Sequence, residues 1–99
     1  PPTAIFAAND MTAMGIYQVA HELGVRIPQD LSVVGFDNLH EAMFMNPPLT
    51  TVDQFMENMG TVATEMIVHL VDEERSVENL RVFQTQLVVR DSCTLPNQH

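Results

Sequence analysis

Two short apolar runs with one helical period between them restrict most strongly what this chain can fold into. Thr3-Ala4-Ile5-Phe6-Ala7-Ala8 and Leu31-Ser32-Val33-Val34-Gly35-Phe36 are of strand length. Their β-branched and aromatic members suit buried strands. Between them, Ala13, Ile16, Tyr17, Ala20 and Leu23 recur at helical spacing from Met11 to Leu23. Asn9 and Asp10 precede that helix and either can cap it, with Asp10 the expected cap. Gly24 fits the C′ position, with Val25 placed for the accompanying apolar contact, and Pro28 keeps the helix from resuming. Strand, helix and strand in about 35 residues make a βαβ unit, whose strands run parallel with a right-handed crossover. Both strands then end on one sheet edge, which brings Asn9 and Asp37 to that edge. Open parallel sheets bind ligands in the crevice outside the carboxyl ends of their strands.

Further along, His40 to Asn46 reads as a short helix or turn, and Pro47-Pro48 stops it and holds the chain extended. Thr50-Thr51-Val52-Asp53 reads as a short extended stretch. A second helix is predicted from near Gln54 to Val71 or beyond, with Met56, Met59, Ala63, Met66, Ile67 and Leu70 on one apolar stripe. Asp72-Glu73-Glu74-Arg75-Ser76 reads as a solvated helix end and loop. Arg81 to Arg90 is predicted as a third strand, and Thr94 to His99 as a frayed polar tail.

Composition removes several classes. Four Lys and Arg against thirteen Asp and Glu give a net charge of −9, which argues against direct contact with a phosphate backbone. No apolar run approaches the roughly 20 residues of a membrane span, so no membrane partner is expected. Cys93 is the single cysteine, leaving no internal disulfide and no cysteine-based metal site. His21, His40, His69 and His99 lack ligand spacing, so no metal is expected. No nucleophile–base arrangement is visible, and Gly15, Gly24 and Gly35 make no phosphate-binding fingerprint. No catalytic residue and no cofactor are expected. The start at Pro1-Pro2-Thr3, without an initiator Met, suggests a segment of a longer protein.

Asn9 and Asp37 are the leading binding candidates. An amide both donates and accepts, and a carboxylate accepts from two hydroxyls, so the pair suits a polyol. The plainer alternative is that Asn9 caps the helix and Asp37 only turns the chain. Phe36 either packs beside a ligand or belongs to the core. Met11, Met14, Phe44 and Met45 lie partly off the predicted core face or in an unusually apolar loop. Such a patch suggests a protein contact, and packing within the domain is the alternative. Arg90 reads as an inter-segment or surface contact.

Five segments, in order, resemble LacI/GalR-type transcriptional regulators. They are Thr3-Ala4-Ile5-Phe6-Ala7-Ala8-Asn9-Asp10, Ile27-Pro28-Gln29-Asp30-Leu31-Ser32-Val33-Val34-Gly35-Phe36-Asp37, Pro47-Pro48-Leu49-Thr50-Thr51-Val52, Met59-Gly60 and Leu87-Val88-Val89-Arg90-Asp91-Ser92. The resemblance covers the C-terminal part of the family's effector-binding domain. It implies an α/β, partial periplasmic-binding-protein-like (type I) fold: a parallel-sheet βαβ unit plus a further helix and strand. It also implies that residues of about 1–52 and 84–99 belong to the lobe farther from DNA, and about 53–83 to the nearer lobe. The DNA-binding headpiece is absent from this chain.

By the same resemblance, Asn9 and Asp37 contact an effector, and Met56 and Met59 form apolar pocket wall with Gln54 as a polar neighbour. Met11, Met14, Phe44 and Met45 then lie at a homodimer interface. The implied function is repressor-type, cytoplasmic sensing of a small-molecule effector, a sugar or related metabolite. DNA is reached only through the missing headpiece. A periplasmic or transporter-associated sugar-binding protein of the same fold is the alternative. A small doubly wound hydrolase is a third, and it lacks any nucleophile–base pair here.

Overall fold

The two apolar runs pair as parallel strands. In the computed structural model, which describes residues 1–72 and 80–96, β1 (Ala4–Phe6) lies beside β2 (Ser32–Val34) with Ile5 opposite Val33. Helix α1 (Asp10–Leu23) makes the crossover. A five-residue 3-10 helix follows at His40–Phe44, then β3 (Thr51–Asp53), helix α2 (Met56–Asp72) and β4 (Gln86–Val88). A parallel bridge from Val34 to Thr50 joins β2 to the start of β3, and β4 pairs antiparallel with β3. Pairing of β2 with β1 ends at Val34. The expected strand nevertheless stays engaged to Asp37, because Gly35 N and Asp37 N donate to Thr50 O and Val52 O, both at 2.9 Å.

Small residues let the layers approach. Ala7, Ala13, Val33, Ala42 and Leu49 form the core, flanked by Ile16, Tyr17, Ile27, Leu31 and Met45. Gly24 takes the left-handed conformation (φ 72°), and Val25 N donates to Ala20 O at 2.8 Å, closing α1 as the sequence predicts. The Tyr17 hydroxyl donates to Pro47 O at 2.9 Å and fastens α1 to the Pro-Pro segment. Ser92, fully buried, locks the C-terminal segment across β2. Its Oγ accepts from Thr50 N at 2.8 Å and donates to Val33 O, and its carbonyl accepts from Val33 N at 2.9 Å.

Four expectations change. Leu23 is 73% exposed although it sits on the helical period. It borders an open apolar groove of about 570 Å³ with Ile5, Ile16, Val19 and Leu31, not the core. The third strand shrinks from 81–90 to Gln86–Val88, because β3 offers only three residues to pair with. Helix α2, expected from near Gln54, begins at Met56. Phe55 N donates to Asp53 Oδ1 at 2.8 Å and Phe55 has φ 54°, so a turn precedes the helix. No described residue of α2 is fully buried, and Ile67 and Leu70 on its stripe are exposed. Thr94 is pinned rather than frayed, exchanging hydrogen bonds with the Ser32 hydroxyl at 3.0 and 3.1 Å. The predicted solvated end at Glu73–Ser76 and the tip of the tail, with His99, lie outside the described residues.

Gly35 is where side-chain size matters most. A Cβ there would overlap Asp10 Oδ1 and come within 2.8 Å of Leu49 Cδ2. Gly35→Ala is expected to cost about 2 kcal/mol or more of stability, as overpacking of a tight site does; a denaturation midpoint equal to wild type would contradict this. Burial pushes the Tyr17 hydroxyl from 10.0 up to about 12. The unfolded chain therefore gives up this proton first, so stability falls as pH rises from about 10 to about 12. Tyr17 is the only tyrosine, so tyrosinate absorbance of the folded protein should rise with a midpoint near 12. Tyr17→Phe should abolish that signal.

Candidate functional site

The carboxyl ends of three neighbouring strands converge on one rim. After β1, Asp10 N donates to Phe36 O at 3.0 Å, which ties the start of α1 to the end of the β2 segment. After β2, Asp37 follows directly. After β3, Gln54 follows Asp53. The rim is therefore built by the parallel order of β1, β2 and β3.

Asn9 is the N-cap of α1. It is extended (φ −160°), and its Oδ1 accepts from Thr12 N at 2.8 Å. This corrects the expectation that Asp10 caps the helix. Asp10 is instead the first helical residue and is fully buried. Its carboxylate accepts from Thr51 Oγ1 at 2.6 Å and from Leu39 N at 2.7 Å. The carboxylate lies at a helix N-terminus, where the helix dipole favours negative charge. The cap engages only the carbonyl oxygen of the Asn9 side chain and leaves its Nδ2 donor outside that bond.

Asp37 has φ 121° and Asn38 has φ 55°. Both are left-handed values that a non-glycine residue keeps only when its surroundings impose them. The imposing contacts are present. Asp37 N donates to Val52 O at 2.9 Å and Asn38 N to Thr51 Oγ1 at 3.4 Å. Gln54 Nε2 donates to Asp37 Oδ1, so two predicted site residues are in direct contact. Asn38 Nδ2 donates to Asp53 Oδ2 at 3.3 Å, and Asn38 Oδ1 accepts from Arg90 Nη2 at 2.9 Å. Arg90 Nη1 also donates to Leu49 O at 2.9 Å. Arg90 is thus the inter-segment contact the sequence suggests.

A depression of about 270 Å³ opens beside this cluster, lined by Asp37, Asn38, Asp53, Phe55, Met56, Glu57 and Asn58. Its lining offers carboxylates and amides beside an aromatic ring and a thioether, a mixture suited to an uncharged polar molecule with an apolar face. Met56 lines it and is 44% exposed. Met59 instead lines a separate groove with Val62, Ala63, Met66, Leu80 and Phe83. Phe36 is half-buried and enters the rim through its carbonyl. Met11 and Phe44 are exposed, Met14 is half-buried, and Met45 packs against the core. Among the described residues, no group of three or more His, Cys, Asp or Glu could hold a metal ion, and no helix is long and apolar enough to cross a membrane.

Sequence reasoning passed over Asn38, Asp53 and the structural part played by Asp10. Asp53 was findable: the carboxyl-end rule, applied to a third parallel run at Thr50–Asp53, sets it on the same rim. Burial of Asp10 had no local signal, because its partners lie 29 and 41 residues away.

Residues 1–93 match the family described as "Periplasmic binding protein-like domain". The chain belongs to that family. It is 35% identical over 91 residues to the HTH-type transcriptional repressor PurR of Pasteurella multocida, a match covering 92% of this chain and 27% of the relative. The dimeric Lac repressor with an 11-residue C-terminal deletion superposes with a TM-score of 0.89 at 32% identity, covering 97% of this chain and 35% of that one. A LacI family transcriptional regulator from Enterococcus faecium with bound ribose gives a TM-score of 0.88 at 30% identity, with the same coverages. The chain spans about a quarter of the length of the curated relatives it matches. It corresponds to part of the effector-binding domain of a LacI-type regulator, with the α/β fold of periplasmic binding proteins.

Removal of the Asn9 cap should be visible independently of any ligand. Asn9→Ala is expected to lower stability by about 1 kcal/mol, while Asn9→Asp, which keeps a capping oxygen, should stay near wild type. Equal unfolding midpoints for Asn9→Ala and wild type would show that the cap carries no stability.

Proposed function

We propose that this chain is the C-terminal part of an effector sensor in a repressor-type transcriptional regulator, and that it binds an uncharged sugar or related small metabolite at the rim of Asn9, Asp37 and Gln54. The observation that carries the reading is the meeting of Asp37 and Gln54 at the carboxyl edge of parallel strands. There, a carboxylate with one oxygen left over and the Asn9 amide can address adjacent hydroxyls. The ribose-bound relative supports a sugar as the ligand class.

Residues of about 1–52 and 84–99 form one lobe in this reading, and about 53–83 belong to the other. The turn at Phe55 and the absence of fully buried residues on α2 favour a chain that leaves one lobe there for the next. The effector sits between the lobes, with Met56 on the apolar side and Phe36 beneath. Met11, Met14, Phe44 and Met45 contribute to a homodimer contact, for which the dimeric Lac repressor is the precedent. Met11 and Phe44 supply its exposed apolar area.

The mechanism is linkage, not catalysis. An effector that binds one lobe orientation better shifts the protein towards it, and the shift alters operator affinity through headpieces outside this chain. Such a protein works in the cytoplasm. The repressor relatives favour this reading over a secreted sugar-binding protein.

The test uses the full-length protein, screened by thermal shift with D-ribose and a panel of neutral mono- and disaccharides. At least one sugar should raise the unfolding temperature, since a ligand that binds only the native state stabilises it. Asp37→Ala should weaken that sugar at least tenfold, on the order of losing one charge-assisted hydrogen bond, while operator binding persists. Failure of every sugar, or full retention of affinity by Asp37→Ala, overturns the reading.

A further inference from the structure

We infer that Asp10 is the positioning residue of this site: its buried carboxylate fixes where Asp37 and Gln54 stand, and so governs effector affinity without touching the effector. The inference rests on Asp37 and Gln54 being effector contacts.

Asp10 has no exposed surface, so a ligand at the rim cannot reach it. Its two oxygens serve two different segments. Oδ2 accepts from Leu39 N at 2.7 Å, two residues after Asp37. Oδ1 accepts from Thr51 Oγ1 at 2.6 Å, three residues before Gln54. Gln54 in turn donates to Asp37. The contacts close into a ring: Asp10 to Leu39, along the backbone to Asp37, across to Gln54, back along β3 to Thr51, and home to Asp10. Asp37 and Asn38 hold left-handed backbone values inside that ring. A backbone in that region stays only where neighbours over-determine it. The Leu39 bond is the anchor on their C-terminal side.

The chemistry explains why a carboxylate stands here. The Leu39 N–H can only donate. The Thr51 hydroxyl donates to Asp10, while its oxygen faces Asn38 N at 3.4 Å. A carboxylate accepts from both at once. Asparagine could keep the Leu39 bond and reach Thr51 only if the hydroxyl reversed and accepted from Nδ2. Alanine could do neither. Gly35 supplies the space, since any side chain there would strike Asp10 Oδ1.

The experiment compares Asp10→Asn, Asp10→Ala and Thr51→Val in the full-length protein, each alone and combined with Asp37→Ala. Amide exchange at Asp37, Asn38 and Leu39 is measured without ligand. Affinity is measured by calorimetry with D-ribose or whichever neutral sugar of the panel the wild type binds. Asp10→Ala and Thr51→Val should speed exchange across 37–39 and weaken binding roughly tenfold or more, while Asp10→Asn loses about threefold or less. In the Asp37→Ala background the same changes should cost less than about twofold, because they act through Asp37. General loosening of the fold would instead cost the same in both backgrounds.

If Asp10→Ala does not fold, Thr51→Val and Asp10→Asn carry the comparison. Unchanged exchange across 37–39 in folded Asp10→Ala, or in Thr51→Val, overturns the inference whatever binds. If Asp37→Ala weakens binding but Asp10→Ala and Thr51→Val do not, or if their effect survives Asp37→Ala, this inference alone falls. Full affinity in Asp37→Ala overturns the effector reading and this inference with it.

Discussion

A carboxylate sealed beneath a glycine organises the rim. Burying a charged group is costly unless hydrogen bonds replace its water. Asp10 meets that condition with Leu39 N, Thr51 Oγ1 and the first turn of α1. Each partner comes from a different part of the chain, so the cost is offset only when helix, loop and third strand are all in place. Gly35 belongs to the same arrangement, since its missing side chain is the volume Asp10 occupies. The strand ends are thereby held at one height, and the polar groups that follow them share one rim.

That rim is polar without being cationic. Arg90 spends its guanidinium on Leu49 O and Asn38 Oδ1. Asp37, Asp53 and Glu57 face the depression with two asparagines. Hydroxyls can donate to the carboxylates of such a surface and accept from its amides. Helix α2 stands apart from this arrangement: none of its residues is fully buried, and Ile67 and Leu70 on its apolar stripe are exposed.

Much of this could be read from the residues. The βαβ unit followed from two apolar runs and one helical period, and Gly24 and Pro28 marked where the helix had to end. The shared rim of Asn9 and Asp37 followed from strand direction alone. What escaped depended on distant partners. Asp10 looked like a cap because Asn, Asp and Ser are interchangeable by local rule; the 0% exposure that separates it from Asn9 comes from Thr51 and Leu39. The strand drawn over 81–90 followed propensity, yet strand length is set by the neighbour, and β3 offers three residues. Leu23 satisfied the helical period and still faces outward, because periodicity names a face and says nothing of whether something covers it.

The clasp made by Ser92 sets an order of events. It joins residues 59 positions apart, Ser92 to Val33, and also holds Thr50. On a ribosome, β1, α1 and β2 emerge long before their last brace. During that interval the far flank of β2 has open backbone groups, and loop closure over so long a span is slow. This sheet thus completes itself only after residue 94 has left the exit tunnel. A nascent chain stalled earlier would carry an unsealed sheet, the state in which strand edges recruit the wrong neighbours.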